Sequence, residues 1–395
     1  MVNQTQNTCP ICNSSDISTF IEIPNVPVHC NLLYKTREEA LNVTRGDIKL
    51  AFCSHCGHVF NTAFDPDLMT YSQEYENSLH FSPRFQEYAT SLAQRLVDDH
   101  KLINKDIVEI GCGKGDFLKI LCNLGQNRGT GFDPSFEPER MVDLQKDNFK
   151  VIQDFYSERY ADYAADIICC RHVLEHIQYP KDFIKTIRQT VGNRLSTVVF
   201  FEVPNVMFTL KDLGIWDLIY EHCGYFSMGS LNYLFSVCGF KQLKLMNAFE
   251  GQFLGIDAIP LPDSSETRCN RWNGHEKMAS DVAAFSRRYD NKVTEWRHKL
   301  ENMKEGGRFA VIWGAGSKGV TFLNILKSQG NIKYVVDINP HKHGKHVPGT
   351  GQQIVPPEFL RENQPDTVIA MNPIYLEEIQ HLLAQMKVSS KVIAV

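Results

Sequence analysis

The sequence has no long apolar run and no excess of positive charge. No segment reaches the roughly 18 consecutive apolar residues of a membrane-spanning helix, so we expect no membrane partner. Lys and Arg number 41 against 46 Asp and Glu, which gives a formal net charge of −5. Because nucleic-acid binders carry a basic footprint, this balance disfavours a nucleic-acid partner and favours a small-molecule substrate.

The N-terminus lacks the apolar stretch of a secretory signal, since residues 1–7 are mostly polar. We therefore expect a cytoplasmic protein, in which thiols stay reduced. The 12 cysteines then need an explanation other than disulfides. A length of 395 residues, at about 150 residues per domain, predicts two to three domains, in a monomer or a small homo-oligomer.

Four of the cysteines form two Cys-x-x-Cys pairs, Cys9/Cys12 and Cys53/Cys56. Each pair can place two thiolates on one side of a tetrahedral Zn²⁺. Four thiolates leave no open coordination position, so the pattern predicts a structural zinc site in a domain over residues 1–68. Strands are predicted at 20–23 and 48–52, between the two pairs. A nucleic-acid-binding zinc ribbon is the alternative, which the acidic balance disfavours.

A glycine-rich turn follows a short apolar strand in the middle of the chain. After a predicted helix over 83–100, residues 106–115 read Asp-Ile-Val-Glu-Ile-Gly-Cys-Gly-Lys-Gly, and a helical segment over 116–124 follows. Glycines in such a turn let the backbone approach a ligand at the mouth of a βαβ unit. Asp133 ends the next strand, where a carboxylate can accept hydrogen bonds from a ribose diol.

This order of elements resembles the class I S-adenosylmethionine (SAM) methyltransferases. The resemblance implies a Rossmann-like α/β fold over residues 69–265, with Asp154 and Phe155 facing the adenine. The NAD alternative requires Gly-x-Gly-x-x-Gly, whereas the spacing here is Gly-x-Gly-x-Gly. The implied SAM-binding residues are Glu109, Gly111, Cys112, Gly113, Gly115, Asp133, Asp154, Phe155 and Arg171.

A second, smaller Rossmann-like α/β domain is predicted over residues 308–395. It follows a helical connector over 266–307, whose helix is predicted at 285–307. Residues 314–319 match Gly-x-Gly-x-x-Gly, and Asp337 closes the next strand. The loop after Asp337 is rich in Lys and His, which suit a pyrophosphate. NAD and a phosphate-bearing substrate compete for this domain, which is only half of a full dinucleotide fold.

The ordered set of motifs resembles one family over nearly the whole chain, the zinc-containing sugar C-methyltransferases that act on nucleotide-linked 4-keto deoxysugars. The motifs are the four cysteines, the 111–115 loop, Glu221-His222 before 224–227, residues 314–318, Asp337 and residues 347–350. The resemblance implies that the C-terminal domain holds the substrate nucleotide. The substrate-binding residues are then Gly314, Gly316, Ser317, Lys318, Asp337, Lys342 and Lys345.

The chemistry of C-methylation needs a base, because a carbon beside a ketone becomes nucleophilic only when its proton is removed. His222 is the predicted base, with Glu221 as the carboxylate that orients it. The enolate then attacks the sulfonium methyl in line. Candidates to contact the enolate oxygen are His176, Tyr75 or Tyr71, and Tyr220. The family usually has Tyr-x-Glu-His, whereas here Tyr220 directly precedes Glu221.

Two other enzymatic interpretations stay open. A SAM-dependent O- or N-methyltransferase would use the same cofactor loop, with His222 deprotonating a hydroxyl or an amine. An NAD-binding oxidoreductase would use residues 314–319. His172 and Glu175 are interpreted as scaffold on a helix that carries His176, and residues 202–205 either line the acceptor pocket or cap a loop.

Overall fold

The computed structural model describes residues 6–69, 76, 78–136, 148–262, 274–327 and 332–395. The strands are β1 (Ile17–Pro27), β2 (Arg45–Cys53), β3 (Val59–Asn61), β4 (Asp106–Ile110), β5 (Arg128–Phe132), β6 (Phe149–Ile152), β7 (Ile167–Arg171), β8 (Val198–Pro204), β9 (Gly224–Tyr225), β10 (Phe240–Ala248), β11 (Phe253–Pro260), β12 (Ala310–Trp313), β13 (Ile332–Val336), β14 (Gln353–Val355), β15 (Thr367–Ala370) and β16 (Lys391–Ala394). The helices are α1 (Arg37–Leu41), α2 (Pro83–His100), α3 (Asp116–Gly125), α4 (Pro180–Val191), α5 (Val206–Asp212), α6 (Met228–Val237), α7 (His275–Glu305), α8 (Ser317–Leu326) and α9 (Leu376–Gln385).

The N-terminal unit contains an antiparallel sheet in the order β1-β2-β3-β9. The strands predicted at 20–23 and 48–52 are confirmed as parts of β1 and β2. Its fourth strand, β9, belongs to a later part of the chain, where Val59 pairs with Tyr225. Because β9 begins two residues after His222, the N-terminal sheet is built directly onto the segment that carries this histidine.

The central domain has the order β10-β11-β8-β7-β4-β5-β6, in which β4 to β8 run parallel and β11 is antiparallel to both neighbours. All five residues of β7 are buried, as expected for a parallel strand covered on both faces. The helix predicted at 83–100 is confirmed as α2, which begins with a Ser82 cap and Pro83. The carboxyl ends of β4, β5 and β7 meet at one edge, where such sheets bind ligands.

The C-terminal domain is a second α/β unit with the all-parallel order β14-β13-β12-β15-β16. The strand order reverses at β12, because the chain continues to β13 on one side and to β15 on the other. The carboxyl end of β12 is therefore a topological switch point, which is the usual ligand site of an open α/β sheet. The Rossmann-like architecture predicted for this part of the chain is confirmed.

The connector contains one long helix, α7, which begins ten residues before the predicted start at Phe285. Met278 and Val282 are buried at helical spacing ahead of Phe285, so the apolar stripe extends further back than expected. Neither α7 nor any other helix in the described part of the chain combines the length and apolarity that crossing a bilayer requires.

One hydrophobic core joins the N-terminal sheet, α7 and the C-terminal domain. It includes Phe52 of β2, Trp296 of α7 and Phe322 of α8, all nearly inaccessible to solvent. The Trp296 and Phe322 rings meet edge to face with centroids 5.3 Å apart. The α7 helix is therefore part of the packed interior and not a solvated linker.

Candidate active site

A cavity of about 770 Å³ lies where the carboxyl ends of the central and C-terminal sheets face the N-terminal unit. Most of the predicted site residues line it, all from the central and C-terminal domains, and His29 and Asn31 of the N-terminal unit line it too. The predicted residues in the lining are Glu109, Gly111, Cys112, Gly113, Asp133, Asp154, Phe155, Arg171, His176, Glu221, His222, Gly314, Gly316, Ser317, Lys318, Asp337 and Lys342. Gly115, Tyr220 and Lys345 are outside this lining. Tyr75 and Tyr71 lie outside the described residues.

The glycine-rich turn after β4 has the backbone shape that its sequence predicts. Gly111 has a φ of 68°, and a Cβ there would lie 2.2 Å from Val173 Cγ2, so a larger residue does not fit. A Cβ built at Gly113 would meet no heavy atom within 4 Å, which leaves that face open to a ligand. The Gly113 amide donates to Asp133 Oδ2 at 2.8 Å. Gly115 is instead the N-cap of α3, with a φ of 80°.

Glu109 at the end of β4 supplies a test of whether SAM fits this loop. The side chain is 3% exposed, and burial raises its pKa to about 8. Its Oε2 has no hydrogen-bond partner among the described residues. A buried carboxyl oxygen without a hydrogen-bond partner is costly, and an ammonium group of the SAM methionine moiety would donate to it and favour its ionised form. The open cradle at Gly113 and this oxygen together fit the cofactor.

The predicted adenine-side residues differ in exposure and in their polar contacts. The Asp154 carboxylate already pairs with Arg159 and accepts from the Tyr160 hydroxyl. Phe155 is 61% exposed and lines the cavity. Arg171 lies over the Phe117 ring at 4.1 Å, with its guanidinium on the buried Glu202 carboxylate at 2.7 Å.

His222 and His176 form a partly buried pair that lines the cavity. Their ring centroids are 4.9 Å apart. Because a carbonyl can only accept, His176 Nδ1 donates to the Glu221 carbonyl at 2.9 Å, which leaves its Nε2 for another partner. Burial, with the charges of His176, His172 and Lys318, holds the pKa of His222 well below its usual value. His222 is therefore neutral at pH 7, the form in which an imidazole accepts a proton.

The carboxylate in this histidine pair is Glu175, not the predicted Glu221. Ligand atoms of Glu175, His176 and His222 all lie within 4.8 Å of one another. The Glu221 carboxylate turns toward the N-terminal unit, where its Oε2 accepts from the Cys30 amide at 2.9 Å. Adjacent side chains in a non-helical segment point in different directions, which explains why sequence adjacency to His222 misled.

The helix predicted to carry His172, Glu175 and His176 is absent. The structure has a short 3₁₀ turn, Leu174–His176, and His172 before it has a φ of 54°. This backbone turns the His172 ring back onto Glu202, with Nε2 3.0 Å from Oε1. Burial lowers the pKa of His172, but Glu175 and Glu202 outweigh it and raise the value to about 9. His172 is thus a cation at neutral pH, held between two carboxylates.

Tyr220 is a structural residue in this fold. Its hydroxyl accepts from the Asp65 amide at 2.8 Å and donates to the Asp65 carbonyl at 3.2 Å. The side chain is fully buried, and a Cβ at Gly46 would overlap its ring. Tyr220 therefore fixes the N-terminal unit to the His222 segment, and its predicted contact with an enolate oxygen has no geometric support. Asn205, from the 202–205 segment, caps α5.

The C-terminal glycine-rich turn repeats the geometry of the central one. The Ala315 amide donates to Asp337 Oδ2 at 2.8 Å, as Gly113 does to Asp133. Buried Lys342 donates to the Ala315 carbonyl at 3.2 Å, and Lys318 pairs with Asp217 at 2.6 Å. Both ammonium groups therefore lie at the edge of the cavity. Lys345, predicted to bind substrate with them, is not brought to this edge.

The four predicted metal ligands converge at the N-terminus. The Sγ atoms of Cys9 and Cys56 are 3.5 Å apart, and those of Cys12 and Cys53 are also 3.5 Å apart. All four sulfurs lie within 4.8 Å of one another. A tetrahedron with Zn–S bonds of about 2.3 Å has edges of about 3.8 Å. The donor set and its size therefore fit Zn²⁺.

Two family models match most of the chain. Residues 81–245 match a methyltransferase domain, and residues 271–394 match a C-methyltransferase C-terminal domain. The chain is a SAM-dependent C-methyltransferase. This C-methyltransferase is 23% identical over 390 residues to the C-methyltransferase NovU of Streptomyces niveus, a match that covers 94% of this chain and 90% of NovU.

Solved structures resemble the C-methyltransferase over less than half of its length. The 1,6-didemethyltoxoflavin-N1-methyltransferase of Burkholderia thailandensis covers 45% of this chain and 80% of its own, at 14% identity and a TM-score of 0.35. The magnesium protoporphyrin IX methyltransferase of Synechocystis PCC 6803 covers 45% and 84%, at 16% identity and a TM-score of 0.34. The assignment rests on the two domain matches and the NovU similarity.

Asp133 and Asp337 occupy equivalent positions beside the two glycine-rich loops, so the same substitution at each tests which loop binds the cofactor. Replacing Asp133 with Asn is expected to weaken binding of S-adenosylhomocysteine (SAH) by about 10- to 100-fold, because a charge-assisted hydrogen bond contributes about 1.5–3 kcal/mol. Asp337→Asn makes the same chemical change in the C-terminal loop and should leave SAH affinity within about twofold of the unmodified protein. Calorimetric titration of SAH into each variant measures both values, and equal weakening by the two variants would contradict the assignment of the central loop.

Proposed function

We propose that the C-methyltransferase methylates a carbon beside the ketone of a nucleotide-linked keto-deoxysugar, with His222 as the base. One observation carries the proposal: the His222 ring lines the same cavity as the central SAM loop and the C-terminal glycine-rich loop. A base, a methyl donor site and a site for a charged acceptor therefore border one space. Methylation of a carbon in a nucleotide-linked keto-deoxysugar uses all three.

The neutral His222 ring takes the proton from the carbon beside the ketone. The electrons of the broken C–H bond form the enolate, which attacks the methyl group, and the C–S bond electrons return to sulfur. SAM supplies the electrophilic methyl group. His176 donates Nδ1–H to the Glu221 carbonyl, and its other ring nitrogen, Nε2, would donate to the enolate oxygen when it carries a proton. Such a donor, fixed before the reaction, stabilises the charge that develops in the transition state.

The C-terminal loop suits the diphosphate of a nucleotide sugar. Helix α8 begins at Ser317 and directs its free backbone amides and its positive dipole end toward the cavity edge. Lys318 and Lys342 add two ammonium groups at the same place. These positive groups suit the negatively charged diphosphate, and the sugar ring attached to the diphosphate would then extend toward His222.

The sharpest test uses a nucleotide-linked 4-keto deoxysugar with SAH in deuterated buffer. With no methyl group to transfer, the enzyme is expected to exchange the proton beside the ketone for deuterium, which mass spectrometry detects. With SAM, NMR of the product should show a new C–CH₃ signal. An O–CH₃ or N–CH₃ signal would instead support a SAM-dependent O- or N-methyltransferase. Saturable heat on titration with NAD would support the NAD-binding oxidoreductase.

The rate should depend on pH through the His222 imidazole. A base must be unprotonated, and the pKa of His222 lies well below 6.5 because of burial and neighbouring positive charge. We therefore expect kcat/KM to stay level as pH falls from about 8 to 6.5 and to decline only at lower pH. An acid limb centred above 6.5 would show that another group is the base.

We propose further that the four N-terminal cysteines hold one structural Zn²⁺. Support comes from the sulfur distances and from the enclosure of the cluster, since Cys9, Cys53 and Cys56 are inaccessible to solvent. Zinc bound there would fix the turns on either side of β1 and β2 and would supply no chemistry to the reaction.

A further inference from the structure

A buried carboxylate, Glu76, connects the two glycine-rich loops. Glu76 Oε2 pairs with Nζ of Lys114, the residue that follows Gly113 in the SAM loop, at 3.0 Å. Its Oε1 accepts from Nδ2 of Asn339, two residues after Asp337, at 3.1 Å. Glu76 is 4% exposed and Asn339 is 2% exposed. We call these three residues the Glu76 clasp; all of them line the cavity.

Each end of the clasp is continuous with the acid that shapes its loop. On the cofactor side, Lys114 follows the Gly113 amide that donates to Asp133. On the C-terminal side, the Asn339 amide donates to Asp337 Oδ1 at 2.8 Å. A shift of either loop on ligand binding therefore moves a hydrogen-bond partner of Glu76.

The N-terminal unit supports the clasp from a third direction. The Glu76 amide donates to the Asn31 carbonyl at 3.0 Å. Asn31 Nδ2 in turn donates to the Ser317 hydroxyl at 3.2 Å, at the first residue of α8. Burial raises the pKa of Glu76, but Lys114, Ser78 and Asn339 outweigh it and lower the value, so the carboxylate stays ionised. A buried charge with these partners has one favoured geometry.

We propose that Glu76 is a positioning residue that couples the cofactor site to the C-terminal loop, so that filling one site orders the other. The ligand of the C-terminal loop rests on the function proposed above, whereas the coupling itself does not. The proposal predicts that binding is cooperative, because the first ligand fixes the clasp and the second no longer bears that ordering cost.

Two isosteric substitutions break one arm of the clasp each. Glu76→Gln keeps an oxygen for Asn339 and places an amide NH₂ against the Lys114 ammonium. Asn339→Asp keeps the Oδ1 that caps the turn at His341, removes the Nδ2 donor to Glu76 and places a second carboxylate against it. Glu22→Gln is the matched control, because Glu22 pairs with Lys49 at 2.7 Å on an exposed surface of β1.

Amide hydrogen exchange with saturating SAH tests the coupling without any acceptor. In the unmodified protein and in Glu22→Gln, SAH is expected to slow exchange in residues 111–116 and also in residues 337–343. In Glu76→Gln and Asn339→Asp, the protection of 111–116 should remain and that of 337–343 should fall by about fivefold or more. Protection of 337–343 that persists in both variants, or is absent from the unmodified protein, would overturn the proposal. Two independent variants keep the test valid if one of them does not fold.

Inorganic pyrophosphate separates this proposal from the proposed function. Saturating pyrophosphate is expected to tighten SAH binding about fivefold in the unmodified protein and less than twofold in Glu76→Gln. If pyrophosphate does not bind while the exchange result stands, the phosphate assignment of the C-terminal loop fails and the clasp survives. If pyrophosphate binds and SAH affinity responds equally in both proteins, the clasp fails and the phosphate assignment survives.

Discussion

Replacing His222 with Asn is expected to lower kcat by about 10²- to 10⁴-fold, the usual contribution of a positioned general base. SAH should still bind within about threefold of its normal affinity, because His222 lies outside the turn formed by residues 111–115. The variant should also lose deuterium exchange beside the ketone in the presence of SAH. That loss would place the defect at proton removal, ahead of methyl transfer.

His298→Asn is the matched control for the His222 variant, because His298 is exposed on α7 and away from the cavity. The control should keep both turnover and exchange. Circular dichroism and SAH titration on both variants establish that the fold is intact. Normal exchange in His222→Asn would remove this residue from the role of base and direct attention to His176.

Removing the N-terminal metal is expected to destabilise the protein strongly. Structural zinc contributes about 10–16 kcal/mol to the folding of isolated zinc modules, so even a fraction of that should lower Tm by about 10 °C or more. Turnover should fall with it, because β3 pairs with β9, the strand that follows His222. A strong chelator, with metal analysis and calorimetry, measures the loss, and added Zn²⁺ should reverse it.

Cys56→Ser and Cys238→Ala distinguish loss of the metal from loss of a buried thiol. Both cysteines are buried, but Cys238 closes α6 and lies outside the cluster. Cys56→Ser should purify with less than one zinc per chain, whereas Cys238→Ala should retain its metal and most of its activity. A protein that contains no zinc and keeps its Tm in the chelator would refute the structural metal.

The sequence predicted the parts of the site that depend on local chemistry. The spacing of Cys9, Cys12, Cys53 and Cys56 predicted their convergence, and the two glycine-rich turns predicted that Asp133 and Asp337 lie beside them. Such features can be recognised in the sequence because a turn with positive φ, or a pair of thiolates on one turn, is encoded within a few residues.

The parts that depend on packing between distant segments were not predictable in this way. Glu175 reaches His222 only because the chain crosses from β7 to the segment before β9, and nothing in either segment encodes that meeting. The sequence did contain one signal: residues 171–176 concentrate four titratable side chains at the carboxyl end of a buried strand. Glu76 carries no local signature at all, since its partners are 38 and 263 residues away.

The shared core of the N-terminal sheet, α7 and the C-terminal domain bears on how this enzyme can be recombined. Phe322 of α8 packs on both Trp216 and Trp296, which precede the boundary at residue 307. In a chimera that exchanged only residues 308–395 for those of a relative, the new domain would have to restore these aromatic contacts with Trp216 and Trp296. Grafting of acceptor specificity should therefore transplant the α7 helix and its β1–β2 partner surface together with the last domain.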